Sequence, residues 1–300
     1  MQTKRLEGEG NIAYFVRNVL MASAAAMWAE VCTIPLDTAK VRLQLQTVKP
    51  GEEPRYKGFI GTMSRVAADE GPLALWSGLT PGLQRQFVFN GLSIGLYVPV
   101  RDMITGPLAP GENPTAFQKV MAGMLTGTIG ITIANPTDVV KIRMQAQGRL
   151  PVEERPYSGS VDCYKKTIAA DGITGLWVGV LPNIMRNSII NAAKLASYDQ
   201  FKQIAVQVLG MDGASTFTHL SCAFMSGFVA TCFGSPVDVI KTRLMNALPG
   251  EPTGLALVTG MIKNEGLGSF YKGFQANFMR IGIWNIVMFL TLEKIKKQFD

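Results

Sequence analysis

The apolar stretches of this chain end in a polar motif that occurs three times. A proline is followed two, five and seven residues later by an aspartate, a lysine and an arginine. The copies begin at Pro35, Pro136 and Pro236, which are 101 and 100 residues apart. So long a period predicts one structural unit used three times. A proline bend before the charged residues would turn them toward a threefold axis.

Charged residues interrupt the apolar stretches. No window offers 20 unbroken apolar residues, and the first candidate, Val19 to Pro35, contains Glu30. Yet 47% of the residues are hydrophobic, only 17% are charged, and the mean hydropathy is +0.18. We therefore predict an all-α integral membrane protein. Its polar residues should face an interior path, because ionisable groups are costly in contact with lipid.

Composition excludes several kinds of chemistry. His219 is the only histidine and the four cysteines lack metal-binding spacing, so neither a histidine metal cluster nor a Ser/His/Asp triad can form. We predict a protein that is not an enzyme and has no metal or cofactor. The net charge of +7 is spread over the repeats, which favours an anionic membrane surface or solute over nucleic acid.

The N-terminus lacks the features of a targeting peptide. Residues Met1 to Asn11 contain Glu7 and Glu9, with neither a signal-peptide core nor an acid-free transit segment. We expect internal targeting information and no cleavable presequence.

The acids and lysines of the three motifs allow two arrangements. Within one copy, the acid and lysine could form a pair three residues apart on a solvated helix face. Three copies around an axis favour instead a ring in which each acid meets the lysine of another repeat. The residues concerned are Asp37, Lys40, Asp138, Lys141, Asp238 and Lys241.

Each repeat continues with a short amphipathic segment and a second helix. The segment ends in an acid and a glycine (Glu70-Gly71, Asp171-Gly172, Glu265-Gly266), and an aromatic residue and another glycine follow. A helix N-terminus beside an interfacial aromatic offers N–H groups to a lipid headgroup. The glycines predicted to bind lipid are Gly58, Gly78, Gly159, Gly179 and Gly273.

An arginine lies seven residues after the aromatic-linked glycine in every repeat. These residues are Arg85, Arg186 and Arg280. Two turns into a membrane helix a charge needs a partner or a water-filled cavity, and snorkelling to the interface is natural only nearer a helix end. We interpret the three arginines as an anion site without matched acids, since guanidinium binds carboxylate or phosphate in two parallel hydrogen bonds.

A second ring is predicted at the other mouth of the path. Its bases lie sixteen residues after the arginines, and in two repeats an acid precedes the base by three residues. The set is Arg101, Asp199, Lys202, Glu293 and Lys296, with Val98 in place of the third acid. This ring should be weaker than the first, and solvated helix faces are an equal alternative.

Together, these motifs resemble the mitochondrial carrier family over the whole chain. Within it, the three arginines are similar to those of dicarboxylate and oxoglutarate carriers and of uncoupling proteins. The segments Pro35 to Gln44, Arg186 to Ala193 and Trp284 to Phe289, and the acid Glu30 in the first helix, are most similar to uncoupling proteins of the plant type. The resemblance implies one domain, 1–300, with repeats 12–107, 114–209 and 213–298. It implies six tilted transmembrane helices and three short matrix helices in a pseudo-threefold bundle.

The resemblance also implies roles for residues. The motif acids and lysines would form a matrix gate. Gln44 and Gln145 would brace its ion pairs, and Met245 stands at the position of the third glutamine, so one brace is missing. The second ring would form a cytoplasmic gate. The substrate site would comprise Arg85, Arg186, Asn187, Arg280, Lys194, Trp284 and Glu30.

Two cavity positions depart from many uncoupling proteins. Ser93 replaces an arginine and Lys194 replaces an acid; both lie eight residues after a triad arginine and should face the cavity. Lys194 puts purine-nucleotide control in question and would strengthen a positive field that favours a dianion. Glu30 either carries protons or pairs with a cavity base.

The leading hypothesis is an inner-membrane transporter of protons or small dicarboxylates that works by alternating access. The alternative is an obligatory dicarboxylate or oxoglutarate exchanger without proton leak, and a receptor-like protein that lost transport is disfavoured by the intact arginines. The implied partners are a small anionic substrate (a dicarboxylate or a fatty acid), a cardiolipin-type lipid and a purine-nucleotide inhibitor. One chain should enclose one path as a monomer.

Overall fold

The protein is almost entirely helical. A computed structural model describes residues 11–47, 53–106, 114–148, 150, 152–212, 215–247 and 254–299. In these ranges there are nine α-helices and no strand. Six are long: α1 (Asn11–Leu45), α3 (Leu79–Thr105), α4 (Ala116–Gln147), α6 (Val180–Gln207), α7 (Thr216–Asn246) and α9 (Phe274–Phe299). Three are short: α2 (Gly58–Glu70), α5 (Ser160–Asp171) and α8 (Leu255–Glu265). The all-α prediction is confirmed. The N-terminal segment discussed above lies, up to residue 10, outside the described residues.

The long helices form a closed ring. They contact one another in the order α1, α3, α4, α6, α7, α9 and back to α1, and the motif helices α1, α4 and α7 also contact each other. Each short helix contacts the motif helix of its own repeat. We call the end of the bundle that carries α2, α5 and α8 the short-helix end.

Hydropathy alone does not identify all six long helices as membrane spans. Among the described residues, Val16–Leu45 and Ser221–Asn246 are long and apolar enough, with mean hydropathies of 1.6 and 1.4. A third candidate span is long and apolar enough only when Ser160–Asp171 and Ile173–Gln207 are combined across a bend of 116°. The charged residues carried by α3, α4, α6 and α9 lower their hydropathy, as expected where such residues face an interior path.

The second base of each motif attaches the short helix to the bundle. Arg42 donates to both carboxylate oxygens of Glu70, at 2.7 and 3.1 Å, and its Nε donates to the carbonyl of Gln145 in the next repeat. The same arrangement joins Arg143 to Asp171 and the Met245 carbonyl, and Arg243 to Glu265 and the Gln44 carbonyl. Each arginine therefore connects its own short helix to a neighbouring repeat.

Two titratable groups in the short helices have shifted pKa values. Burial alone would raise the pKa of the Glu265 carboxyl, but hydrogen bonds from Arg243 and Lys272 outweigh it and hold that pKa below its ordinary value. Burial raises the pKa of the Cys163 thiol in α5 to about 11. Cys163 therefore stays a neutral thiol and packs with Val140 and Leu176.

Glycines at the start of α3, α6 and α9 allow close contact between repeats. A Cβ atom on Gly78 would lie 3.1 Å from the carbonyl oxygen of Lys141, and one on Gly273 would lie 3.2 Å from that of Lys40. On Gly179 it would lie 2.8 Å from Cγ of Met245. These glycines have φ between +75° and +78°, which other L-residues rarely adopt. Each thus brings a helix start against the motif helix of another repeat.

Tryptophan side chains bind the carbonyl groups that two of the prolines leave free. Pro35 and Pro136 lie inside continuous helices, so the carbonyls of Val31 and Thr132 lose their usual backbone donors. The indole N–H of Trp76 donates to Val31 at 3.0 Å, and that of Trp177 donates to Thr132 at 2.9 Å. The interfacial aromatic of these repeats is therefore a structural donor as well.

We expect Trp76→Phe to lower the midpoint of thermal unfolding of the purified protein. Phenylalanine keeps an aromatic ring but cannot donate to Val31, which costs about 1 kcal/mol for a lost hydrogen bond. Trp28→Phe is the matched control, since Trp28 is 57% exposed and its indole donates to none of the described residues. Equal destabilisation of the two variants would contradict this role of the indole.

Candidate functional site

The motif acids and lysines form a closed ring at the short-helix end. Lys40 lies 2.5 Å from Asp238, and Lys241 lies 3.0 Å from Asp138. Lys141 forms the third ion pair, with Asp37. Every pair joins two different repeats, so the structure favours the ring over pairing within one motif. All six side chains are buried.

The three arginines contact the same aspartates, which corrects the prediction of an anion site without matched acids. Nε of Arg85 lies 2.5 Å from Oδ1 of Asp138. Arg186 contacts Asp238 at 2.5 Å, and Arg280 contacts Asp37 at 2.8 Å. An arginine side chain is long enough to reach the motif helix of the next repeat, a distance that spacing along the sequence does not reveal.

Every motif aspartate therefore connects three repeats. Asp138 in repeat 2 binds Arg85 of repeat 1 and Lys241 of repeat 3. The same pattern holds for Asp37 and Asp238 after rotation by one repeat. A cavity of about 60 Å³ lies among these side chains. The predicted gate residues and the predicted substrate arginines thus form one ion cluster.

Glu30 is a fourth acid in this cluster. It is fully buried, and its carboxylate accepts from Lys141 at 2.6 Å and from Gln86 at 2.7 Å. Nη2 of Arg280 lies 3.7 Å from it. Of the two interpretations of Glu30, these contacts favour an acid paired with cavity bases.

The two predicted glutamine braces differ. Gln44 donates to Oδ2 of Asp238 at 3.0 Å and accepts from Thr242, so it contacts the pair of Lys40 and Asp238. Gln145 donates to the Thr38 hydroxyl instead, which corrects its prediction as a direct brace.

In the third repeat, Met245 occupies the position of these glutamines. It packs in a buried apolar cluster with Val41, Leu45, Val139, Ile142 and Ala146.

Two residues that donate hydrogen bonds to acids of the ion cluster were not predicted from the sequence. Asn183 donates to Asp138 at 2.9 Å, and Gln86 donates to Glu30. Each lies close in sequence to a triad arginine, but neither type is repeated at its position in all three repeats. A search for threefold patterns therefore could not select them.

Some buried donors in the cluster lack good acceptors. The Nε–H groups of Arg186 and Arg280 lie close to carboxylate oxygens but are not directed at them, so among the described residues they make ion contacts without a well-formed hydrogen bond. The buried Nε1–H of Trp284, one turn after Arg280, also donates to none of the described residues. These groups can donate to an anion with little loss of existing bonds.

The remaining predicted cavity residues are placed differently from one another. Lys194 is partly buried, and no carboxylate of the described residues lies within ion-pair distance of it. Asn187 and Ser93 lie against α4: their Nδ2 and Oγ atoms would be 3.3 and 3.4 Å from Cβ atoms built on Gly127 and Gly130. The expectation that Ser93 faces the cavity is thus corrected, because it fills a helix–helix contact.

Among the described residues, the predicted ring at the opposite end has no ion pair between repeats. Arg101 pairs with the adjacent Asp102 at 2.6 Å, and Glu293 pairs with Lys297 one turn away, both on exposed surfaces. Among the described residues no ion pair joins Asp199 to Lys202 or to another repeat. The long helices are therefore tied by charge at the short-helix end, and this conformation leaves the predicted second ring open.

The predicted lipid-binding glycines lie at helix starts. Gly58 begins α2, and Gly159 directly precedes α5. Gly78, Gly179 and Gly273 directly precede α3, α6 and α9. Gly58 and Gly273 line one cleft of about 830 Å³ between repeats 1 and 3, together with Lys57, Tyr271 and Lys272.

Comparison with known proteins identifies the family of this chain. The sequence model of the family described as "Mitochondrial carrier protein" matches residues 12–107, 112–208 and 212–300. The chain belongs to the mitochondrial carrier family. The carrier is 47% identical to "Mitochondrial uncoupling protein 2" of Arabidopsis thaliana over 290 residues, which cover 95% of this chain and 94% of that protein.

Other relatives are similar over comparable lengths. "Mitochondrial uncoupling protein 1" of Arabidopsis thaliana is 46% identical over 91% of this chain and 90% of its own length. "Putative mitochondrial transporter UCP3" of Homo sapiens is 43% identical over 93% of this chain and 90% of its own length. The carrier is therefore a mitochondrial inner-membrane transporter that resembles the uncoupling proteins.

We expect Asp138→Asn to lower the midpoint of thermal unfolding strongly. Removing one partner of a buried ion pair costs about 3–5 kcal/mol, and here Arg85 and Lys241 would both lose their carboxylate.

Asp69→Asn is the control for this variant, because Asp69 contacts Arg55 and Arg65 only on the exposed surface of α2. Exposed pairs contribute about 0–1 kcal/mol. A fall no larger than that of the control would show that the buried ring does not stabilise this conformation.

Proposed function

We propose that the carrier transports small dicarboxylate anions by alternating access through the central ion cluster. The observation that carries the proposal is the charge of this cluster. Its bases are Lys40, Lys141, Lys241, Arg85, Arg186 and Arg280, and its acids are Glu30, Asp37, Asp138 and Asp238. Six bases against four acids leave two positive charges in excess.

Uncompensated buried charge is unfavourable, so this excess supports binding of an anion. A dianion balances the cluster. Guanidinium groups bind carboxylates in two parallel hydrogen bonds, and the poorly directed N–H groups of Arg186 and Arg280 are suited to this. Lys194, eight residues beyond Arg186 on α6, adds positive charge farther along the path.

The shared aspartates suggest how binding opens the gate. An anion that binds Arg85, Arg186 and Arg280 competes with Asp138, Asp238 and Asp37 for them. Each aspartate then retains one lysine, and the ring at the short-helix end weakens. Binding energy for the anion thereby offsets the cost of opening. We place this end on the matrix side, and the residues at the opposite end would pair when the matrix gate opens.

Proton leak is the second candidate function. It is supported by the similarity to mitochondrial uncoupling proteins 1 and 2 of Arabidopsis thaliana. The contacts of Glu30 with Lys141 and Arg280 support a counter-ion more than a free proton carrier. A fatty-acid carboxylate could still bind at the arginines, and Lys194 leaves purine-nucleotide inhibition to be tested. One chain would enclose one path as a monomer.

Reconstitution in liposomes tests both functions. We expect exchange of labelled malate or oxoglutarate, and we expect Arg186→Gln to reduce it at least about tenfold, a loss of about 1.4 kcal/mol of transition-state stabilisation. Arg65→Gln, on the exposed face of α2, is the matched control. Normal exchange by the Arg186 variant would refute the arginine site.

Proton flux is followed in the same liposomes, with and without fatty acid and GTP. Exchange without fatty-acid-dependent flux would identify a strict exchanger. Flux that GTP inhibits would identify an uncoupling carrier and show that Lys194 does not abolish nucleotide control.

We also propose a cardiolipin-type lipid at the cleft between repeats 1 and 3. The cleft combines helix starts at Gly58 and Gly273, whose N–H groups suit an anionic headgroup, with Lys57 and Lys272, which already pair with Glu53 and Glu265. We expect added cardiolipin to raise the midpoint of thermal unfolding in detergent, whereas phosphatidylcholine should not. Equal effects of the two lipids would contradict an anion-selective site.

A further inference from the structure

The ion cluster is not threefold symmetric in charge. Asp138 contacts two bases, Arg85 and Lys241. Asp238 likewise contacts two bases, Arg186 and Lys40. We call a motif aspartate and the bases that contact it a sector. Each of these two sectors has one acid for two bases and carries an excess of one positive charge.

The third sector is neutral. Lys141 and Arg280 contact Asp37, and the same two bases also contact Glu30. Two acids here face two bases. The excess of two positive charges in the cluster therefore lies on the side of Arg85 and Arg186. Without Glu30, the third sector would carry one further positive charge.

Repeat 1 is built to hold this extra acid. The residues that correspond to Glu30 are Ile131 and Thr231, which carry no charge. Space for the carboxylate comes from Gly82, where repeats 2 and 3 have Asn183 and Asn277.

A Cβ atom at Gly82 would lie 3.3 Å from Oε1 of Glu30, so a larger side chain would displace the carboxylate. Gln86 donates to the other carboxylate oxygen at 2.7 Å. The glycine and the hydrogen bond together fix Glu30 against Lys141.

We propose that Glu30 sets the charge of the anion that the central site accepts. With Glu30 ionised, the cluster binds a dianion on the side of Arg85 and Arg186 and discriminates against trianions. This inference rests on the proposed function, because it names the substrate class of the same site. It assigns Glu30 as a specificity-determining residue whose carboxylate, together with that of Asp37, neutralises Arg280 and Lys141.

The physical reason is electroneutrality in a poorly hydrated site. A third carboxylate on the ligand would leave one negative charge uncompensated, and such a charge is costly away from water. Without the Glu30 carboxylate the excess rises to three positive charges, which a trianion would balance. The order of preference between dianions and trianions should therefore change with this one residue.

Two probes of similar skeleton test the inference. Glutarate carries two carboxylates on a three-carbon chain, and propane-1,2,3-tricarboxylate carries a third on the central carbon. Apparent dissociation constants are measured on the purified full-length protein from ligand-induced shifts in thermal unfolding, at mildly alkaline pH and constant ionic strength. The proteins compared are the wild type, Glu30→Gln and Glu30→Asp.

We expect the wild type to bind glutarate at least about tenfold more tightly than the tricarboxylate. Glu30→Gln keeps an oxygen for Gln86 but loses the charge, and it should shift the affinity ratio toward the tricarboxylate by at least about tenfold, equivalent to about 1.4 kcal/mol. Glu30→Asp keeps the charge and should retain the wild-type preference.

Several results would overturn the inference. Equal or tighter binding of the tricarboxylate by the wild type would do so without any variant, even if the Gln variant failed to fold. An unchanged ratio in Glu30→Gln, or a ratio in Glu30→Asp like that of the Gln variant, would show that the charge at this position does not select the ligand.

Failure of the proposed function gives a different pattern. A wild type that binds glutarate with the expected preference but does not exchange dicarboxylates in liposomes would refute transport and leave charge selection intact. Exchange of dicarboxylates with an unchanged ratio in Glu30→Gln would refute charge selection alone. A wild type that binds neither probe would overturn charge selection, and exchange of malate or oxoglutarate in liposomes would still decide transport.

Discussion

The closed end of this carrier depends on aspartates that are buried between repeats. A carboxylate removed from water is stable only when bases surround it, and in each case the bases come from both other repeats. No single repeat can satisfy its own aspartate. The position of the motif helices, the close helix contacts and the second connection through Arg42, Arg143 and Arg243 all maintain that arrangement.

The sequence predicted the elements that repeat. The all-α fold class followed from the composition, and because a period of about 100 residues is visible in one chain, the ring of acids and lysines and the three arginines could be inferred from offsets. The partner of Arg85 could not be inferred in this way, because its contact with Asp138 depends on the distance between two repeats. The opposite ring was predicted from the same type of offset, yet among the described residues Arg101 and Glu293 pair locally and Asp199 forms no ion pair with Lys202 in this conformation.

Features confined to one repeat were harder to find. Gln86, Gly82 and Asn183 become meaningful only when Glu30 and Asp138 are seen beside them. One missed feature did have a sequence signal. A proline inside a helix leaves a carbonyl without a donor, and both tryptophans that supply one lie 45 residues after the carbonyl they bind, an offset that repeats 1 and 2 share.

The contacts of Gly78, Gly179 and Gly273 also constrain how the sequence can diverge. The space beside each glycine is bounded by the motif helix of a different repeat, at Lys141, at Met245 and at Lys40. A larger side chain in one repeat is therefore resisted by the main chain or side chains of its neighbour. Along this seam the three repeats cannot accumulate substitutions independently, although they share the same motifs.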